Sequence, residues 1–197
     1  LKKLVVSEDP DKTLSNKEFP WLSYRDIEIG MCPVRALRVA YTGELGWELH
    51  HPIEMQNYLL DILLSSGKEF NLKLVGARAQ NWLRQEKSYK AFGSDLGRDA
   101  GPFESKLSRF VDINKNFLGK DALLKRKTDV SCVTLLIDGP KDIDPWGREA
   151  LYNETEDSIL GRLTSGGYSV HFQKSIGIGY VKSCLLYTSD AADDLIG

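Results

Sequence analysis

The sequence lacks several features that would settle its chemistry at once. Its three cysteines, Cys32, Cys132 and Cys184, are odd in number and form no CxxC pair. A disulfide framework is therefore not indicated, and a reducing compartment, the cytoplasm or a matrix like it, is the expected location. Only three histidines occur. His50 and His51 are neighbours in a strand-like stretch and point to opposite faces, so they cannot share one metal, and no metal site is expected. No GxGxxG follows a strand and no GxxxxGK[ST] is present, which removes the usual phosphate cradles. No basic block stands behind the formal charge of −2, so neither nucleic acid nor an anionic membrane is an expected partner. The longest apolar run, around residues 58 to 64, is interrupted by Asp61 and is far too short to span a bilayer. Repeats of fixed period and low-complexity tracts are also missing.

What remains is an ordinary globular composition. With 197 residues, 42% hydrophobic and 27% charged, the chain can bury a substantial core as one domain or two small ones. Its ends read differently. The opening LKKLVVSEDPDKTLSN has neither an initiating methionine nor signal-peptide architecture, and is expected to follow a missing amino-terminal part. At the other end, CLLYTSDAADDLIG (184 to 197) changes character abruptly after SIGIGYVKS. That tail resembles the translation of a sequencing-library adapter, with a disordered acidic tail as the plain alternative. It is expected to carry no function, and Cys184 is set aside with it.

After a polar lead, VRALRVAY (34 to 41) is apolar and β-branched and predicts a strand. TGELG supplies glycines for a turn and WELHH returns, so a hairpin is expected. Pro52 opens a helix with Met55, Tyr58, Leu59, Ile62 and Leu63 at helical spacing, and Gly67 is a plausible stop. A second helix is expected from Gly76, with Ala79, Trp82, Leu83 and Glu86 along one stripe, and a short one within NFLGKDALLKRK. Composition then shifts near residue 128. SCVTLLID, REALY, ILGRLTS and SIGIGYV are short strand-like runs separated by turn residues, the pattern of an antiparallel barrel or sandwich. Within SIGIGYV, Gly177 and Gly179 suit close packing in a barrel strand. Cys132 begins an apolar run and reads as a small core residue.

Two charged residues resist a bland reading. Alternation puts Trp47 and Leu49 on one face and Glu48 with His50 on the other. If that second face is solvent, Glu48 is a surface charge. If it lines a cavity, the carboxylate can accept paired hydrogen bonds from a ring N–H and an adjacent amino group, each contributing about 1.5–3 kcal/mol. Arg78 opens a helix, where the macrodipole disfavours a cation, so either an ordinary salt bridge or an anionic ligand could compensate. Trp82, one turn on, either belongs to the core or packs against that guanidinium.

The ordered motifs VRALRVAYTGELGWELHHP, GARAQNWLRQEKSYKAFGSDL, NFLGKDALLKRK, GRLTSGGYS and SIGIGYV resemble the folate-binding aminomethyltransferase family, over nearly all of residues 14 to 183. That family comprises the glycine-cleavage T-protein and the T-protein-like carboxy-terminal halves of dimethylglycine and sarcosine dehydrogenases. The resemblance implies an α+β fold: a T-protein-like folate-binding α/β region, partial here, over residues 1–128, then a small antiparallel β-barrel domain over 129–183, with 184–197 as the tail. It implies that Glu48 holds the donor edge of the pterin, Arg78 anchors the ligand and Tyr41 packs on it or bonds to it. The family's catalytic aspartate falls upstream of Leu1, so no residue here is assigned that role. A further family arginine falls where the tail has replaced the native sequence.

GELGWEL, with Leu45 where glycine-cleavage T-proteins carry aspartate, is similar to the dehydrogenase group, as is LRQEKSYKAFGSDL. On that resemblance an upstream FAD domain oxidises an N-methyl amine and this part captures the one-carbon unit on tetrahydrofolate, giving 5,10-methylenetetrahydrofolate. Alternatives are a free-standing T-protein, a folate-dependent demethylase of a sulfonium substrate, and a non-catalytic folate-binding factor. The last carries a KGCxxGQ motif, and EKSYKAFG lacks its cysteine.

Overall fold

The computed structural model describes residues 1–127, 129–139, 143–153, 155 and 157–187. Of the tail, residues 184–187 belong to a short 3-10 turn, Ser183–Tyr187, and the rest lies outside the described residues. The chain forms two compact units, Leu1–Gln80 and another beginning at Asn81.

The first unit opens with a single helical turn, α1 (Pro10–Thr13), capped by the Asp9 side chain accepting from the Lys12 amide. Three antiparallel strands follow, β1 (Tyr24–Ile29), β2 (Cys32–Leu37) and β3 (Glu48–His50), in the order β1-β2-β3. β1 was not expected, because YRDIEI carries charge at Arg25, Asp26 and Glu28 and reads as part of a polar lead. Gly30 at φ +58° makes the two-residue turn into β2. There Tyr58 closes over the turn, its hydroxyl accepting from the Met31 amide at 3.1 Å, and a Cβ on Gly30 would lie 2.4 Å from that hydroxyl.

The expected hairpin forms, but the strand predicted over 34–41 runs from Cys32 to Leu37 instead. Opposite its end Leu22 sits at φ 62°, which no extended ladder accommodates. Arg38 then turns to donate to the Phe19 carbonyl and Asn16. The helix expected at Pro52 starts as a 3-10 turn, Ile53–Met55, and continues as α2 (Gln56–Gly67). Gly67 ends α2, and a further 3-10 turn, Lys68–Phe70, leads to Asn71 at φ 54°. Beneath the sheet, Phe19, Ile29, Cys32, Val34, Ala36 and Leu59 are buried together, with Trp47, Leu49 and Tyr58 packed on them. Full burial of each large apolar side chain contributes about 1.5–3 kcal/mol.

The helix expected from Gly76 is α3 (Ala77–Glu86), and that in NFLGKDALLKRK is α4 (Lys120–Lys125). The carboxy-terminal strands β4 (Val130–Ile137), β5 (Ala150–Tyr152), β6 (Ile159–Ser169) and β7 (Lys174–Lys182) form one antiparallel sheet in the order β4-β7-β6-β5. Its glycines do what close packing asks. A Cβ on Gly179 would lie 2.5 Å from the Arg162 carbonyl, and one on Gly167 2.1 Å from the Trp82 ring. Trp82 is half-buried and also meets Tyr168 edge-on at 6.4 Å.

α3 departs from its expected stripe. Leu83 is exposed, and the buried pair is polar: Arg84 and Gln85. Arg84 Nη1 donates to Asp95 Oδ2 at 2.6 Å and to the Tyr89 carbonyl at 2.7 Å, Nη2 to Ser165 Oγ at 2.6 Å, and Nε to Asn81 Oδ1 at 2.9 Å. Asp95 also accepts from the Ala91 amide and from the hydroxyls of Thr164 and Ser165. A register shift between Leu163 and Ser165 lets these two consecutive hydroxyls converge on one carboxylate. Gln85 ties the same helix to β6 by donating to the Gly166 carbonyl at 3.0 Å.

Removing one partner of such a pair leaves an uncompensated buried charge. Arg84→Met is expected to cost about 3–5 kcal/mol in denaturant unfolding, and Arg84→Met with Asp95→Leu less than that. Gly167→Ala must displace the Trp82 ring, so a shifted tryptophan emission and a loss of roughly 1–3 kcal/mol are expected.

Candidate folate-binding face

Trp47 and Leu49 anchor β3 inward. The Trp47 ring meets Phe19 edge-on at 4.7 Å, and the Arg38 guanidinium lies 5.6 Å from its centroid on another side. Alternation then turns Glu48 and His50 outward, where their side chains are 54% and 59% exposed. Of the two local readings of Glu48, burial in this unit therefore excludes a carboxylate already enclosed. The face it occupies is nonetheless not a uniformly charged one.

Register defines that face. Leu37 lies opposite both Glu48 and Tyr24, and Arg35 opposite both His50 and Asp26. Directly opposed residues share a face, so two rows cross the sheet: Tyr24–Leu37–Glu48 and Asp26–Arg35–His50. The first puts an aromatic ring and an aliphatic side chain beside a carboxylate. In the second, Arg35 is held by both oxygens of Asp26, at 2.8 and 3.1 Å, which lowers the Asp26 carboxyl and raises the Arg35 guanidinium from their ordinary values, chiefly through that hydrogen bond. The rows are linked along β3, where His50 Nε2 approaches Glu48 Oε2 at 3.2 Å. An open depression of about 1040 Å³ follows the second row, lined among others by Asp26, Arg35, Leu37, His50 and His51, and stops short of Glu48 and Tyr24.

The other two site residues expected from the sequence are placed as follows. Tyr41 is in the loop between β2 and β3, 38% exposed, and Arg78 is exposed in the first turn of α3. Sequence reasoning did not single out Tyr24 or Leu37, although strand pairing across the turn at Gly30 was the signal that would have found them.

Chemistry elsewhere is limited by burial. Cys132 is 4% exposed and desolvation pushes its thiol up to about 11. Burial likewise raises the Cys32 thiol. Both are core residues, and a buried thiol held protonated is a poor nucleophile. Among the described residues no group of three or more His, Cys, Asp or Glu side chains could hold a metal ion, and no helix is long and apolar enough to cross a membrane. A thiol reagent at pH 8 is expected to label one exposed cysteine, Cys184, quickly in the folded protein and all three after unfolding; rapid labelling of Cys132 would contradict its place in the sheet.

Comparison with known proteins agrees with this architecture. The GCVT N-terminal domain model matches residues 2–115, and the glycine cleavage T-protein C-terminal barrel domain model matches 131–194. Human mitochondrial dimethylglycine dehydrogenase is 39% identical over 186 residues, covering 90% of this chain and 20% of that protein. The aminomethyltransferase of Caldanaerobacter subterraneus is 32% identical over 180 residues, covering 91% of this chain and 48% of that protein. Among solved structures, the glycine cleavage system aminomethyltransferase T of Bartonella henselae superposes with a TM-score of 0.67 at 26% identity, over 77% of this chain and 42% of that one. The chain thus spans about a fifth of the dehydrogenase and about half of the transferases. With over half its length matched by the amino-terminal domain model and its last sheet by the barrel model, the chain belongs to the glycine-cleavage T-protein, or aminomethyltransferase, family.

Proposed function

We propose that this chain is the tetrahydrofolate-binding, one-carbon-transfer part of a dimethylglycine or sarcosine dehydrogenase-like protein, and that it serves to form 5,10-methylenetetrahydrofolate. The observation that carries the reading is the row Tyr24–Leu37–Glu48. A flat heteroaromatic ring laid on the tyrosine and leucine would bring its N–H and amino edge to the carboxylate. The donor set fits the pterin, because an ionised carboxylate accepts from two parallel donors at once. Arg78 is assigned to anchoring the ligand and Tyr41 to packing on it or bonding to it. The bound folate supplies the nitrogens that capture the one-carbon unit. The chain's own residues bind and orient it, and hold water away from the reacting atoms.

The flavin part, with its FAD, belongs to the proposal too, as does a methylated amine as substrate. The relatives of the dehydrogenase type are named as mitochondrial, which supports a matrix location. A domain division at residue 128 is also part of the proposal, supported by the two family models, which match residues 2–115 and 131–194. A second reading, a free-standing aminomethyltransferase, is supported by the likeness to the Bartonella enzyme. Flavin absorbance in the full-length protein separates the two.

The test of the site is direct. In the full-length protein, Glu48→Gln should raise the Kd for tetrahydrofolate roughly tenfold or more, read by fluorescence quenching, because a charge-assisted acceptor is replaced by a group that also carries donors. Arg78→Ala should weaken binding similarly. Unchanged affinity in Glu48→Gln would remove this face from the folate site.

A further inference from the structure

His50 faces the same way as Glu48 from two residues along β3, and its Nε2 lies 3.2 Å from Glu48 Oε2. A contact of this kind has little value as a stabilising device. Both side chains are more than half exposed, and exposed ion pairs contribute almost nothing to folding because water competes for each group. Its geometric effect is larger. A glutamate side chain on an open sheet face has free rotation about three bonds, and a ligand that needs both carboxylate oxygens in one plane must stop that rotation on binding. A donor already on one oxygen narrows it beforehand.

The surroundings leave His50 free for this task and leave Glu48 no stronger partner on the sheet. Opposite His50 stands Arg35, the nearest strong cation on β2, but its guanidinium is held bidentately by Asp26 of β1. Opposite Glu48 stands the uncharged Leu37, with Tyr24 beyond it. His51, the next residue, has its Nδ1 at 2.9 Å from the Pro52 carbonyl and so faces a different group. Arg25 and Glu28 line the same depression from β1.

We infer that His50 is a positioning residue for the pterin-binding carboxylate: its Nε2–H donates to one oxygen of Glu48 and sets the carboxylate plane toward the ring that the Tyr24–Leu37 platform receives. This rests on the folate-binding reading of Glu48. It assigns the proton of His50 to Nε2, since a hydrogen bond to a carboxylate requires a donor there. It also gives His50 no contact with the reacting atoms.

The experiment is titration of the full-length protein with tetrahydrofolate under anaerobic conditions, in variants made singly and in combination. His50→Phe keeps a ring without the donor and is expected to raise Kd roughly fivefold, while His50→Gln, which keeps an N–H at similar reach, stays within about twofold of the parent. On a Glu48→Gln background His50→Phe is expected to add nothing, because a residue that acts through another is non-additive with it. An unchanged Kd in His50→Phe overturns the inference, and so does an equal loss on both backgrounds, which would mean that His50 acts independently of Glu48. If instead Glu48→Gln alone leaves Kd unchanged, the folate reading of this face fails first and the inference falls with it.

Discussion

The buried pair of Arg84 and Asp95 is the constraint on which the second unit depends. One partner comes from a helix and the other from the loop after it, and the hydroxyls that complete their coordination come from β6, about 70 to 80 residues further along the chain. Each group would be costly to bury alone, and the cost vanishes only when helix, loop and strand are all in place. The pair is therefore a poor source of net stability, and its partners tie one register of β6 to it, the one that brings both Thr164 and Ser165 to the same carboxylate. Ser105 and Tyr180 extend the network, since the tyrosine hydroxyl bonds the Asp95 carbonyl at 2.8 Å and Ser105 Oγ lies 2.7 Å from that hydroxyl.

The first unit works by the opposite rule. There the core is apolar, and the polar residues are those that the pleat excludes from it. Trp47 has no freedom to leave its place against Phe19, and Leu49 follows it into the same core, so the direction of Glu48 and His50 is set by their neighbours rather than by any contact of their own. A one-residue slip of β3 would bury the carboxylate and expose the tryptophan, a change opposed both by desolvation of a charge and by loss of a large apolar burial. A face built in this way is held from beneath by the apolar core and across its surface by the Arg35–Asp26 and His50–Glu48 contacts, the preorganisation that the proposed ligand would require.

What was legible in the sequence follows the range of the interactions. Alternation gave the β2–β3 hairpin, helical spacing gave α2, and the glycine-broken apolar runs gave the last sheet, all of them patterns readable within a dozen residues. Even there the ends moved, because Leu22 and Arg38 stop β2 from outside it. The face of Tyr24 and Leu37 was not legible, since β1 looked like a polar lead until its pairing with β2 was known. The network of Arg84 was hidden for a deeper reason: periodicity rules count apolar positions, and α3 buries polar ones whose partners lie far along the chain. Glu48 sits between these cases. Its direction could be read from WELHH, its proposed role only from the resemblance carried by several motifs together.

β3 is a three-residue strand at the edge of its sheet, where charged side chains have a general use in blocking further pairing. Edge protection, though, asks only for charge, and is indifferent to what stands on the adjacent strand. Here the carboxylate is set against Leu37 and the imidazole against an arginine already committed to Asp26, so the acceptor that His50 contacts adjoins an apolar and aromatic patch of the face. An exposed Glu–His pair contributes about 0–1 kcal/mol to folding, too little for the fold to discriminate among polar residues at these two positions. On the proposed reading, the discrimination comes from the ligand: a flat ring with donors along one edge needs this combination, and a surface charge alone does not supply it.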